Sequence, residues 1–155
     1  MKILAIDPGS KRIGLAATDE LHLSIRLLPV LQVQGLHQSM NALIGIIQSE
    51  PFHKVLVGLP MNMDGSEGRS ATAARKLKDA LDKELARQKI SCEVLLWDER
   101  LTSFEAEQRM RQQGVAKAKA KAFLDSVAAE VLLEDYLHTT EGSQAHFETS
   151  EEDIP

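Results

Sequence analysis

The chain has 155 residues, 43% of them hydrophobic, and carries a net charge of −5. That length suits one globular domain with a single core. No apolar stretch approaches the ~20 residues needed to span a bilayer, and the N-terminus runs straight into a strand pattern instead of a basic and apolar leader, so a soluble cytoplasmic protein is expected. The lone Cys92 excludes an internal disulfide and reads as a small buried thiol, and His22, His37, His53, His138 and His146 are too scattered for a zinc site.

In chain order, "KILAID" (2–7) and "RIGLAATD" (12–19) are apolar runs split by "PGSK", the pattern of a hairpin, and "LPVLQVQ" (28–34) alternates as a third strand. Leu36, Met40, Leu43, Ile44 and Ile47 then recur at helical spacing until Pro51. "HKVLVGLP" (53–60) is a short continuous apolar run of the kind buried in a parallel sheet. Ala74, Leu77, Leu81 and Leu85 form the stripe of a second helix, and "CEVLLWDER" (92–100) makes another buried strand. Thr102 and Glu105 match a capping box, and a last helix is expected from about Lys117 to about His138. The pattern predicts an α/β fold with a mixed five-stranded sheet, antiparallel over its first three strands and parallel thereafter, with helices on both faces. The domain is expected to span 1–138. Residues 139–155 read as a flexible acidic tail, because the last fifteen residues hold five acids and no Lys or Arg, and residues 1–140 are then charge-neutral.

The acids are the informative part. Asp7 ends the first strand, and Asp98 and Glu99 end the last, at the strand ends where sheets of this type collect ligands. In "FLDSVAAEVLLEDYL", 100° per residue puts Asp125 on the stripe of Ala128, Ala129 and Leu132, opposite Glu130 and Glu134. Each acid alone has an ordinary explanation: Asp7 accepting from its own turn, Asp98 pairing with Arg100, Asp125 capping a later helix start. Together they would repel and protonate unless a cation lay between them. Oxygen ligands without His or Cys suit Mg²⁺ or Mn²⁺, and two such ions can activate a water and stabilise the leaving oxygen in phosphodiester hydrolysis. Successive strand residues face opposite sides, so only one of Asp98 and Glu99 can enter such a site.

"IDPGSKRIGLA", "VLVGLPMNMDGSEG", "WDERLTS" and "LDSVAAEVLLEDYL", in this order, resemble the YqgF/RuvX family of RNase H-like proteins, described as pre-16S rRNA nucleases and as Holliday junction resolvase homologues. The resemblance covers residues 1 to about 138. It implies an RNase H-like fold, a nuclease, and Asp7, Glu99 and Asp125 as its catalytic and metal-binding acids. It favours Glu99 over Asp98 and makes Glu99 the acid of the fourth sheet strand. It also sets Gly58 and Pro60 in a turn beside a substrate groove lined by Asn62, Asp64 and Gly65, a stretch whose composition equally suits a plain turn.

For nucleic-acid contact the chain offers Lys11 and Arg12 beside Asp7, Arg100 after the last strand, and the run Arg109, Arg111, Lys117, Lys119 and Lys121. Such cations hold phosphates without reading sequence, although a solvated helical face explains the same lysines. Aromatic residues are only 4% of the chain, which argues against a base-stacking platform. The expected partner is therefore nucleic acid, either precursor rRNA within a ribosomal precursor or branched DNA, bound through backbone and shape. A homodimer is consistent with resolvases of the wider superfamily, but no apolar stripe identifies its interface. An actin-like kinase needs two such domains and is excluded by length. A non-catalytic RNA or transcription-complex factor is the serious rival.

Overall fold

The structure is a computed structural model and describes residues 1–9, 11–99, 108–109, 111–112 and 126–139. β1 (Lys2–Pro8) and β2 (Arg12–Thr18) form the antiparallel hairpin, with Leu4 opposite Ala17 and Asp7 opposite Gly14. Gly9 keeps its turn tight, since a side chain there would run into the Arg12 carbonyl. β3 (Ile25–Gln32) pairs antiparallel with β2. It starts three residues before the predicted strand and stops two earlier, because the Val33 N–H already donates to the Lys11 carbonyl at 2.9 Å across the hairpin end.

α1 (Leu36–Ser49) leads into β4 (Phe52–Leu59), and α2 (Arg69–Arg87) leads into β5 (Glu93–Asp98). Both new strands are parallel to β1, giving the order β3-β2-β1-β4-β5. Residues 126–139 are helical. The expected mixed sheet and helical stripes are thus present, with one exchange: Leu36, expected in the core, is 47% exposed, and Ser39 is buried instead. Burial of Ser39 is tolerated because its hydroxyl donates to the Gly35 carbonyl at 2.9 Å.

Strand alternation divides the core in two. Leu4, Ile6, Val55 and Val57 face α1 and α2, meeting Leu43, Ile47, Leu77 and Leu81. Ile3, Ala5, Ala16 and Leu56 face the other way, onto Ala129, Leu132, Leu133 and Tyr136 of the 126–139 helix. Each fully buried large side chain contributes roughly 1.5–3 kcal/mol of burial. The second layer is also pinned by polar contacts: Trp97 Nε1 donates to Asp135 at 2.8 Å, and Lys54 Nζ donates to the Tyr136 hydroxyl at 2.6 Å. Cys92, expected as a small buried thiol, is half-buried, and its thiol is pushed up to about 11 by burial and the neighbouring Glu93. No helix among the described residues is long and apolar enough to cross a membrane.

Candidate active site

The same alternation delivers two acids to one place. Odd-numbered β1 residues face the 126–139 helix, which puts Asp7 on that side at the carboxyl end of the strand. In β4 the same face carries Leu56 and then Gly58, and Gly58 lies opposite Trp97 of β5. Glu99 is one two-residue period beyond Trp97, just past the end of β5, where its N–H donates to the Leu59 carbonyl at 3.2 Å. From there its carboxyl group reaches back over β4. A Cβ on Gly58 would overlap that carboxyl group and would come within 3.4 Å of Leu132. Gly58 therefore sits inside a strand rather than in the expected turn, and its missing side chain is the space through which Glu99 reaches Asp7. A glycine interrupting the apolar run "VLVGLP" is the sequence signal for such an approach.

Glu99 is half-buried beside Asp7, and its carboxyl pKa is pushed up to about 10. Burial is the largest cause, followed by the Asp7 charge and by the hydrogen bond that the protonated Glu99 donates to Asp7, with Asp98 a lesser repulsion. The two carboxyl groups share a proton, which offsets part of the repulsion between them. A hard divalent cation would do the same with greater charge, so the donor set fits Mg²⁺ or Mn²⁺. Asp98 is exposed and belongs, by alternation, to the opposite face. Glu99 follows the fifth strand in chain order, not the fourth, because the hairpin and β3 supply three strands before the first crossover. Asp125 lies outside the described residues. Among the described residues no three His, Cys, Asp or Glu side chains are gathered around one point.

Residues 1–139 match the family model "RuvX: Holliday junction resolvase". The chain belongs to the RuvX family. Among its RuvX-type relatives, a protein of Chloroflexus aurantiacus named "Putative pre-16S rRNA nuclease" is 37% identical over 135 residues, 87% of this chain and 85% of the relative. One of the same name from Halothermothrix orenii is 34% identical over 89% of this chain and 95% of its own. The fold is also that of the RNase H-like resolvases. Thermus thermophilus RuvC, solved with a Holliday junction substrate, superposes with a TM-score of 0.51 at 14% identity, covering 90% of this chain and 96% of RuvC. The fowlpox virus resolvase solved with Holliday junction DNA gives 0.57 at 11% identity, covering 90% and 99%.

Around the acids of this RuvX-family chain, the expected substrate contacts fare differently. Lys11 is exposed on the hairpin, and Arg12 is half-buried at the start of β2 opposite Gln32. Asn62 is exposed but engaged in its own loop: its amide donates to the Ser66 hydroxyl at 2.9 Å, and Ser66 N–H donates to Asp64 at 2.9 Å. Those bonds are the plain-turn reading of this loop. Arg109 is not a free phosphate contact, because it donates to Glu130 at 2.7 Å and to Glu134 at 3.1 Å, tying its segment to the 126–139 helix. Arg100, Lys117, Lys119, Lys121 and the Thr102–Glu105 capping box lie outside the described residues, as does the tail from residue 140.

Proposed function

We propose that the chain is a divalent-metal-dependent endonuclease that hydrolyses nucleic-acid phosphodiesters at Asp7 and Glu99, with Asp125 as the third acid. The observation that carries this reading is the pairing of Asp7 with a half-buried, proton-sharing Glu99 across the gap at Gly58. Such a pair is poor structural cement, since burying like charges costs free energy, and it is a ready-made seat for a cation. When bound, Mg²⁺ or Mn²⁺ supplies a polarised water and charge stabilisation at the leaving oxygen. Asp7 and Glu99 hold the cation, Gly58 leaves the carboxyl group its path, and Asp125 completes the set from the stripe of Ala129 and Leu132. We assign Lys11, Arg12, Arg100 and Lys121 as backbone phosphate contacts, and Asn62 as a groove contact from the loop after β4.

The favoured substrate is the 5′ end of pre-16S rRNA, supported by the names of relatives that match over most of the chain. The second reading, resolution of four-way DNA junctions, rests on the family description and on the fold shared with junction resolvases. A junction has two equivalent strands to cut, so this reading calls for a homodimer. We assign the protein to the cytoplasm, where both substrates would be met.

The test is cleavage of a labelled 16S precursor carrying its 5′ leader, beside a four-way DNA junction, with Mn²⁺ or Mg²⁺ and with chelator. Asp7→Asn is expected to lose at least roughly 100-fold in rate while keeping its thermal unfolding profile. Metal-dependent cutting of RNA supports the processing nuclease, and cutting of the junction alone supports the resolvase. Undiminished cutting by Asp7→Asn removes the assigned site.

A further inference from the structure

On the α1 and α2 side of the sheet, the face opposite to the Asp7 side chain but at the same end of β1, lies a cleft of about 440 Å³ that the acids do not account for. Its wall begins at Pro8 and Gly9, its floor includes Ile13 and Leu77, and Leu36, the apolar residue displaced from the core, stands exposed at its edge. That volume lies in the range of small-molecule sites. Arg69 and Lys76 also line it.

The charges on α2 are sorted by position. Arg75 is held by Glu67 at 2.6 and 2.8 Å, Lys78 by Asp82, and Arg87 by Glu84 at 3.0 Å. Arg69 and Lys76, which line the cleft, are seven residues apart and hence on one face, which Lys83 continues away from the cleft, and none of the three makes a side-chain ion pair or hydrogen bond among the described residues. Cations left unneutralised beside an apolar floor suit a ligand with an anionic group and an apolar body. Both helices also start at this cleft, at Gly35 and Gly68, without a side-chain cap, which adds positive potential of the same sign.

We propose that this cleft receives one unpaired nucleotide of the nucleic-acid strand, flanking the phosphodiester held at Asp7. The phosphate lies between Arg69 and Lys76, and the sugar and base rest on Ile13, Leu36 and Leu77. The inference rests on the nuclease reading and extends it to the substrate's form. Pro8 and Gly9 follow Asp7 directly, so a strand placed on the acids meets the cleft as it crosses the end of β1. We assign the cleft to a single base, so an unpaired nucleotide beside the cut is expected to tighten binding.

The experiment is fluorescence anisotropy of a labelled 12-nucleotide single-stranded RNA on the full chain in EDTA, between about 50 and 200 mM salt, so that no cleavage is involved. Arg69→Ala/Lys76→Ala is expected to weaken binding by roughly tenfold and to flatten the log–log salt slope by about 0.7, the value for one phosphate neutralised on a single strand. Leu36→Ser is expected to weaken binding with the slope unchanged, and a fully paired RNA hairpin to bind weakly to wild type and indifferently to all variants. Arg87→Glu serves as a charge control at the far end of α2. An equal loss with Arg87→Glu, an unchanged slope in the double variant, or equal dependence of the hairpin on Arg69 and Lys76 overturns the proposal. Thermal unfolding of each variant separates misfolding from lost contact, and the outcome stands whether or not Asp7→Asn abolishes cleavage.

Discussion

Glu99 carries the sharpest residue-level consequence. Its carboxyl pKa is raised in the folded chain, from an ordinary 4.5 to about 10, so the folded state holds a proton that the unfolded state releases. Stability from that proton is fully present below about pH 4.5 and drains as pH climbs toward 10. Metal-free protein is therefore expected to melt at a lower temperature at pH 8.5 than at pH 6, and Glu99→Gln to flatten the difference, both read by calorimetry in chelator. Saturating Mn²⁺ should reverse the trend, with about one proton released per chain on binding, measurable by titration calorimetry in buffers of different ionisation enthalpy. Gly58 makes the matching steric case. An alanine there meets the Glu99 carboxyl group, and Gly58→Ala is expected to cost about 1–3 kcal/mol in chemical denaturation and to weaken Mn²⁺ binding by more than Glu99→Gln would explain through charge alone. Mn²⁺ affinity equal to wild type in that variant would mean that Glu99 reaches Asp7 by another path.

At the scale of elements, the final helix is held to the sheet by apolar packing and by the Arg109 clasp to Glu130 and Glu134. Its first described residue, Ser126, directly follows Asp125 and donates to the Leu28 carbonyl at 3.3 Å. Arg109→Ala is expected to lose about 1–2 kcal/mol of stability and to raise amide exchange across 126–139, without altering the salt dependence of RNA binding. The strands and the two central helices were legible in the sequence, because burial on one or both faces writes itself as a period of 2 or 3.6. Asp7 and Glu99 were legible as strand-end acids for the same reason. Three things were not. Arg109 reads like any surface cation until its partners twenty-odd residues later are brought to it, Leu36 looks apolar enough for a core that Ser39 enters instead, and Gly58 looks like a turn residue because the approach of Glu99 from the adjacent strand cannot be read from spacing.

For the whole molecule, the family match ends at residue 139, and the last fifteen residues carry five acids and no Lys or Arg. A chain stopped at residue 139 is expected to keep the melting temperature of the full chain within about 2 °C and its proposed metal-dependent cleavage rate within about twofold, since the described core runs from Ile3 to Tyr136. A larger loss of rate at constant melting temperature would give the acidic segment a part in substrate handling. The shared proton between Glu99 and Asp7 also has a bearing on how the protein is made. Because a proton reconciles the two acids, the sheet closes without waiting for a cation. Under the proposed nuclease reading, metal loading would then be a later, reversible step, and ion supply rather than folding would set when the site is ready to act.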